Sequence, residues 1–193
     1  MTKSTELDLL SAQPALAELP EALRHEVLRS ASLRQFGIGQ NLARADAIPA
    51  EVLLILEGSA RLLSHIDNRL VTVEKLGPGS WIGLASLLRA GPCEEVAASE
   101  PVIAAAIDDA LAVRLICDPG FYQQICNRPF KAELLPLLLK HLHGPTAGTS
   151  LLNRLNDPAL ASVVSAETWS KRDDDGHVVA ASFNLDDYVY GQS

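Results

Sequence analysis

The amino-acid sequence predicts an α+β protein in which an antiparallel β-roll, or double-stranded β-helix, is flanked by helices on both sides. Between residues 33 and 108, short apolar segments alternate with glycines and prolines at the spacing of turns. Before and after this region the apolar residues recur at helical spacing instead. A chain of 193 residues suits one core with an appendage rather than two average domains.

The first element is a helix predicted from Pro20 to Leu28. Proline is well placed in a first turn, and Glu21 complements the positive end of the helix dipole. Leu23, Val27 and Leu28 share one face, which we expect to pack against the start of the roll. Residues 1–14 are expected to form a flexible N-terminus.

Seven strands are predicted within the roll. The strand from Val52 is continuously apolar to Leu56, which is typical of a strand buried on both faces, whereas residues 70–74 mix inward and outward positions. Asp67 and Asn68 supply the turn of a hairpin. The predicted strands are Leu33 to Phe36, Asn41 to Arg44, Val52 to Glu57, Ser59 to His65, Leu70 to Leu76, Val96 to Ser99 and Val102 to Asp108.

Helical spacing returns after Ile116. Helices are predicted from Pro119 to Cys126 and from Phe130 to His143, the second with a kink at Pro136. The roll and its flanking helices therefore occupy residues 15–143, and residues 144–193 form a linker, a helix and a C-terminal extension that resembles the start of a further domain. The leucine stripe of the second helix suits a homodimer contact as well as an internal core.

Composition excludes several function classes. The net charge of −8 and the aromatic content of 5% disfavour nucleic-acid binding. Three cysteines without a Cys-x-x-Cys pair indicate neither a disulfide framework nor a zinc site, and fit the cytoplasm. The five histidines are scattered, so no metal site is expected. No signal peptide, membrane-spanning stretch or catalytic constellation is recognisable, so we expect no enzyme, no bound cofactor and no direct membrane insertion.

The glycine-rich stretch from Gly77 to Leu88 is the candidate binding site. A tight turn that leads into a short helix presents several backbone N–H groups in one direction, as a bound anion requires. The amides of residues Gly83, Leu84, Ala85 and Ser86 are the candidate donors. In the alternative interpretation the glycines merely turn the chain, and the apolar side chains from Trp81 onwards fill the core.

The order of the sequence segments in this chain resembles that of the cyclic nucleotide-binding domain family. The resemblance covers residues 15–130. It rests on a leading helix, on Gly39-Gln40-Asn41-Leu42, on Val52 to Glu57 followed by Gly58-Ser59-Ala60-Arg61-Leu62, on Leu76 to Gly83, and on the late strand Val102 to Asp108.

The resemblance implies a phosphate-binding cassette in which this chain has lost both side-chain contacts. The family places a ribose-binding glutamate directly after the glycine equivalent to Gly83, where this chain has Leu84. The family's phosphate-binding arginine falls at Pro92 or Cys93, and the carboxylates of Glu94 and Glu95 follow. We therefore expect binding of cyclic AMP or cyclic GMP to be weak or absent, and a small anion or a cationic or hydroxyl-rich molecule remains the candidate ligand. Cys93 is interpreted as inert, because neighbouring carboxylates disfavour its thiolate.

A looser resemblance connects the chain to the N-terminal regulatory region of bacterial ABC transporters that export peptides or proteins. It rests on Pro92-Cys93-Glu94, on residues 52–63 and on the tail after Trp169. It implies a cytosolic sensor domain tethered to neighbouring domains. No Walker motif occurs in these residues, so we expect the transport chemistry itself to lie elsewhere. The alternatives are a protein-interaction module with no small-molecule ligand and, less favoured because basic residues are few after residue 140, the effector domain of a transcription regulator.

Overall fold

The computed structural model describes residues 8–17, 19–66, 68–88 and 92–121 of the chain. The helices that lie wholly within this part are α1 (Pro14–Ala17), α2 (Glu21–Ser30), α3 (Leu84–Leu88) and α4 (Asp109–Cys117). Residues 8–11 and 119–121 are helical as well. The strands are β1 (Ser32–Phe36), β2 (Asn41–Ala43), β3 (Glu51–Glu57), β4 (Ala60–Ile66), β5 (Arg69–Leu76), β6 (Trp81–Ile82), β7 (Glu95–Ala98) and β8 (Val102–Asp108). The predicted helix from Phe130 to His143 and the extension from residue 144 lie outside the described residues.

The strands form two four-stranded sheets with the orders β1-β8-β3-β6 and β2-β7-β4-β5, and every pairing is antiparallel. Each sheet combines strands that are distant in sequence, so the chain winds back and forth between the two sheets. This arrangement is the antiparallel roll with flanking helices that the sequence predicts, and the fold class is confirmed.

Strand β3 is buried on both faces, as its unbroken apolar run predicts. Alternate residues point to opposite faces of a strand. Val52 and Leu54 accordingly belong to the apolar cluster beneath the helices, whereas Leu53 and Ile55 belong to the cluster between the two sheets. The central position of β3 therefore links the helical layer to the interior of the roll.

Two turns follow directly from their residues. Strands β4 and β5 join where Ile66 pairs with Arg69, and Asn68 there adopts a φ of 60°, which confirms the predicted hairpin. Gly58 ends β3 with a φ of 83°, and a Cβ at this position would collide with the carbonyl group of Pro101. The glycine lets the β3–β4 turn lie directly against the start of β8.

The helix after the roll begins earlier than predicted. We expected helical structure only beyond Ile116, but α4 starts at Asp109, directly after β8. The prediction was wrong because Asp108 serves both as the last residue of the strand and as the N-cap. Its Oδ1 accepts a hydrogen bond from the amide of Leu111 at 2.7 Å. The short strand β6 was also missed, since two residues give too little alternation to be recognised.

The helices pack together on one side of the roll. Val27 of α2 and Leu115 of α4 lie in one buried cluster, which also includes Leu10. The guanidinium of Arg114 donates to Glu26 Oε1 at 2.5 Å, so a charged pair also joins α4 to α2. Leu10 is 3% exposed, so packed structure is already present ahead of residue 15.

Candidate functional site

The segment that leads into the candidate site is fixed to the central strand. The amide of Gly79 donates to the carbonyl of Ile55 at 2.9 Å, and the amide of Ile55 donates to the carbonyl of Ser80 at 3.0 Å. Strand β6 then pairs antiparallel with β3, with Ile82 opposite Leu53. The backbone therefore arrives at Gly83 in a position set by the buried strand β3.

Gly83 has a backbone conformation and surroundings that favour glycine. Its φ is 90°, and a Cβ would lie 2.9 Å from Pro49 Cγ and 3.4 Å from the carbonyl oxygen of Glu51. A larger residue would be strained and would press against the β2–β3 connection. The glycine thus determines the direction in which its own N–H group points.

Glu94 is bound to the backbone of this segment from the far side of the site. Its Oε1 accepts a hydrogen bond from the amide of Gly83 at 3.0 Å. Its Oε2 accepts from the amide of Ser86 at 3.1 Å and from the Ser86 hydroxyl at 3.0 Å. Both carboxylate oxygens are therefore held by donors from the segment that the sequence identifies as an anion cradle.

Ser86 closes the arrangement. Its hydroxyl oxygen also accepts a hydrogen bond from the amide of Cys93 at 3.3 Å, and Cys93 Sγ lies 3.6 Å from the same oxygen. A hydroxyl that donates to Glu94 while accepting from Cys93 has its direction fixed by both contacts. Hydrogen bonds made by the side chains of Glu94 and Ser86 consequently connect the segment at Gly83 to the segment at Cys93.

The Glu94 carboxylate is almost completely removed from water. The residue is 3% exposed, and burial raises the pKa of the carboxyl above its ordinary value, although the hydrogen bonds from Gly83 and Ser86 act in the opposite direction. Within residues 8–17, 19–66, 68–88 and 92–121, no lysine, arginine or histidine forms an ion pair with Glu94. Neutral donors alone satisfy the carboxylate in this part of the chain.

The structure brings most of the predicted site residues together. Gly83 and Ser86 meet Cys93 and Glu94 through the bonds described above, whereas Pro92 is exposed. Leu84 and Ala85 are 1% and 0% exposed, with Leu84 packed beneath the helices and Ala85 between the sheets. Their side chains therefore belong to the core, as the alternative interpretation of this stretch predicts, and binding of a ligand by their amides stays a prediction.

Sequence reasoning missed the inward direction of Glu94. It treated the two adjacent carboxylates alike, but Glu95 is only partly buried and Glu94 is buried. The alternation along β7 carries the signal, because Val96 and Ala98 are buried and residues two apart share a face. Extending that pattern back by one step places Glu94 on the inner face.

Comparison with solved structures identifies the architecture. The regulatory subunit of a cAMP-independent protein kinase A from Trypanosoma cruzi, bound to guanosine, superposes with a TM-score of 0.59 at 19% identity, covering 72% of this chain and 50% of that one. The regulatory domain of Toxoplasma gondii protein kinase A with cAMP gives 0.59 at 15%, covering 86% and 60%. A cAMP-binding acyltransferase from Mycobacterium smegmatis gives 0.54 at 21%, covering 65% and 41%.

The fold is that of a cyclic nucleotide-binding domain. No family model and no curated protein matches the chain. The chain spans about half the length of the first solved proteins that it resembles.

The two positions at which the resemblance implies a lost side-chain contact can be located in the structure. Leu84 stands where the resemblance places a ribose-binding glutamate, and its side chain is buried in the helical cluster. Pro92 or Cys93 stands where it places the phosphate-binding arginine, and neither side chain carries a positive charge. The amides of Gly83 and Ser86 donate to the Glu94 carboxylate.

An aromatic contact connects the cassette to the chain that follows the roll. The ring of Phe121 meets that of Trp81 edge-on, with centroids 5.4 Å apart and planes inclined by 85°. Phe121 is 1% exposed, and Trp81 lies two residues before Gly83. A displacement of the segment after α4 would therefore move or release Trp81, which lies near Gly83.

The described part of the chain holds neither a membrane-spanning helix nor a metal-binding cluster. There, no helix is long and apolar enough to cross a membrane. Also within that part, no group of three or more histidine, cysteine, aspartate or glutamate residues is arranged to hold a metal ion.

Proposed function

We propose that this chain is a regulatory sensor domain with a cyclic nucleotide-binding fold and with weak or no affinity for cyclic AMP and cyclic GMP. The observation that carries the proposal is the Glu94 carboxylate bound to the amides of Gly83 and Ser86. A cyclic phosphate would have to share or displace these donors, and a second negative charge would be repelled in a region of low dielectric constant.

The missing side-chain contacts point in the same direction. Without the arginine, a cyclic phosphate loses a charge-assisted hydrogen bond worth about 1.5–3 kcal/mol, which corresponds to roughly tenfold to hundredfold in affinity. Cys93 and Pro92 offer no replacement charge. The two effects add, since one removes attraction and the other introduces repulsion.

A ligand without a phosphate group fits this cassette better. The Trypanosoma cruzi regulatory subunit, which shares the fold, is bound to guanosine, a nucleoside. We extend this ligand class to the present chain as the first candidate, because a nucleoside brings hydroxyl groups but no anionic group to the Glu94 region. The chain itself acts as a sensor and catalyses nothing in this proposal.

The regulatory output is proposed to pass through Phe121. Its contact with Trp81 joins the candidate site to the segment after α4, so ligand occupancy would shift the part of the chain that follows. We place the domain in the cytosol, as part of a bacterial ABC transporter that exports peptides or proteins. The support for this context is the resemblance of Pro92-Cys93-Glu94, residues 52–63 and the tail after Trp169 to such proteins. The adjoining coding sequence tests it: membrane segments and a Walker motif support it, and their absence refutes it.

Calorimetric titration of the 193-residue chain with cyclic AMP, cyclic GMP and guanosine tests the ligand proposal. The expected result is no micromolar binding of either cyclic nucleotide and measurable heat with guanosine. Micromolar affinity for either cyclic nucleotide would overturn the proposal. A thermal-shift series with nucleosides and small anions completes the test, because a ligand that binds only the folded state raises the melting temperature. A series with no stabilising compound would refute the sensor and favour the protein-interaction module.

A further inference from the structure

We propose that Glu94 is a built-in anionic ligand: its carboxylate fills a three-donor cradle that accepts an external small carboxylate once the Glu94 side chain is removed. The inference deepens the proposed function, on which it rests for its biological meaning, by assigning the chemical class that the cradle recognises. The cradle consists of the amides of Gly83 and Ser86 and the hydroxyl of Ser86.

The cradle matches a carboxylate group oxygen by oxygen. One donor, Gly83 N–H, serves Oε1, and two donors on Ser86 serve Oε2, all at 3.0–3.1 Å. These distances lie in the normal range for N–H···O bonds and at its long end for O–H···O bonds. Three donors that converge on two oxygens form a set that a neutral side chain cannot satisfy fully, because an amide would direct its own N–H groups against one of them.

The burial of the charge supports the inference independently. A carboxylate is rarely buried unless it is paired, and Glu94 is 3% exposed without an ion pair in the described residues. Since no cation accounts for the buried charge there, the donors must provide most of its stabilisation. The amides in turn need an acceptor, because a buried N–H group without one is costly. Each side of the contact thus explains the presence of the other.

The donors are oriented before the carboxylate arrives. Gly83 is held by the pairing of β6 with β3 and by its φ of 90°. Ser86 is held at its hydroxyl by the amide of Cys93. An external anion would therefore meet donors that already point at one place, which lowers the entropic cost of binding.

The covalent connection of Glu94 to the rest of the chain explains why the wild-type protein should not bind such anions in the cradle. Glu94 lies eight positions after Ser86 in the chain, and its carboxylate is already bound to the cradle. A free carboxylate therefore competes with an intramolecular one. Shortening Glu94 to alanine removes this competitor and leaves a space of matching shape and charge preference. The Glu94→Ala chain is thus the species in which the cradle becomes measurable.

The experiment is chemical rescue of Glu94→Ala in the full chain. Melting temperatures are measured in increasing sodium formate or sodium acetate at constant ionic strength, with sodium chloride as the balancing salt. Glu94→Ala should melt below wild type, and formate should raise its melting temperature in proportion to the logarithm of concentration. Wild type should respond to formate as it responds to chloride.

Glu95→Ala is the matched control. Glu95 is adjacent, its side chain is 27% exposed, and it faces His65 at 3.9 Å rather than the cradle. It should show no formate effect beyond that of chloride. Equal responses of Glu94→Ala and Glu95→Ala would overturn the inference.

A measurement on wild type keeps the inference testable if Glu94→Ala does not fold. The amide proton resonances of Gly83 and Ser86 should shift together with the titration of the Glu94 carboxyl. Independent behaviour of the two amides would contradict the cradle. Failure here is distinguishable from failure of the proposed function: micromolar cyclic nucleotide binding by wild type refutes the function, whereas formate rescue concerns the cradle alone.

Discussion

The contact between Phe121 and Trp81 yields a prediction whose size can be worked out from the structure. Phe121 is 1% exposed, so Phe121→Ala should lower the free energy of unfolding by about 3–5 kcal/mol, the usual cost of truncating a buried phenylalanine. For a chain of this length each 1 kcal/mol shifts the melting temperature by about 2–4 °C, which gives a decrease of roughly 6–20 °C. Val113→Ala on α4, where Val113 is 39% exposed, is the control and should change stability far less.

A double-mutant cycle isolates the aromatic pair itself. Phe121→Leu, Trp81→Leu and the combined variant should show a coupling energy of about 0.5–1.5 kcal/mol, because edge-on aromatic pairs contribute this much beyond the area that they bury. Urea unfolding followed by circular dichroism provides the free energies. A coupling energy indistinguishable from zero would refute the contact. A loss below about 1 kcal/mol for Phe121→Ala would show that the ring is not packed at all.

Three further outcomes are expected. Gly58→Ala should destabilise the chain more than Gly39→Ala, since both glycines have positive φ but only a Cβ at Gly58 would meet the Pro101 carbonyl; equal losses in urea unfolding would contradict this. Because burial raises the pKa of Glu94, the folded state holds this proton more tightly than the unfolded one. The unfolding free energy of wild type relative to Glu94→Ala should therefore rise as pH falls through the folded pKa towards the ordinary value of 4.5, and an opposite slope would contradict it. Finally, Cys93→Arg combined with Glu94→Ala should bind cyclic AMP roughly tenfold to hundredfold more tightly than wild type in calorimetry, and unchanged affinity would count against the cassette assignment.

The sequence determined the framework because local chemistry decides it. Gly58 and Asn68 adopt positive φ, and each lies at a turn that the residue types predict. The apolar run of β3 predicted burial on both faces, and its alternate residues do enter two different clusters. Turn preference and side-chain period are properties of a few adjacent residues, so they can be recognised without the fold.

The tertiary structure alone decided what Glu94 does. Glu94 and Glu95 are identical in type and adjacent in sequence. Glu94 is nevertheless buried and hydrogen-bonded to Gly83 and Ser86, whereas Glu95 remains partly exposed. The difference depends on which face of β7 meets the segment after β6, and that is set by pairing between strands distant in the chain. Likewise, the contact of Phe121 with Trp81 joins residues forty positions apart. Contacts of this kind arise from the closure of the roll. The alternation along β7 indicates that Glu94 faces inward, but local residue preferences do not indicate which donors it meets there.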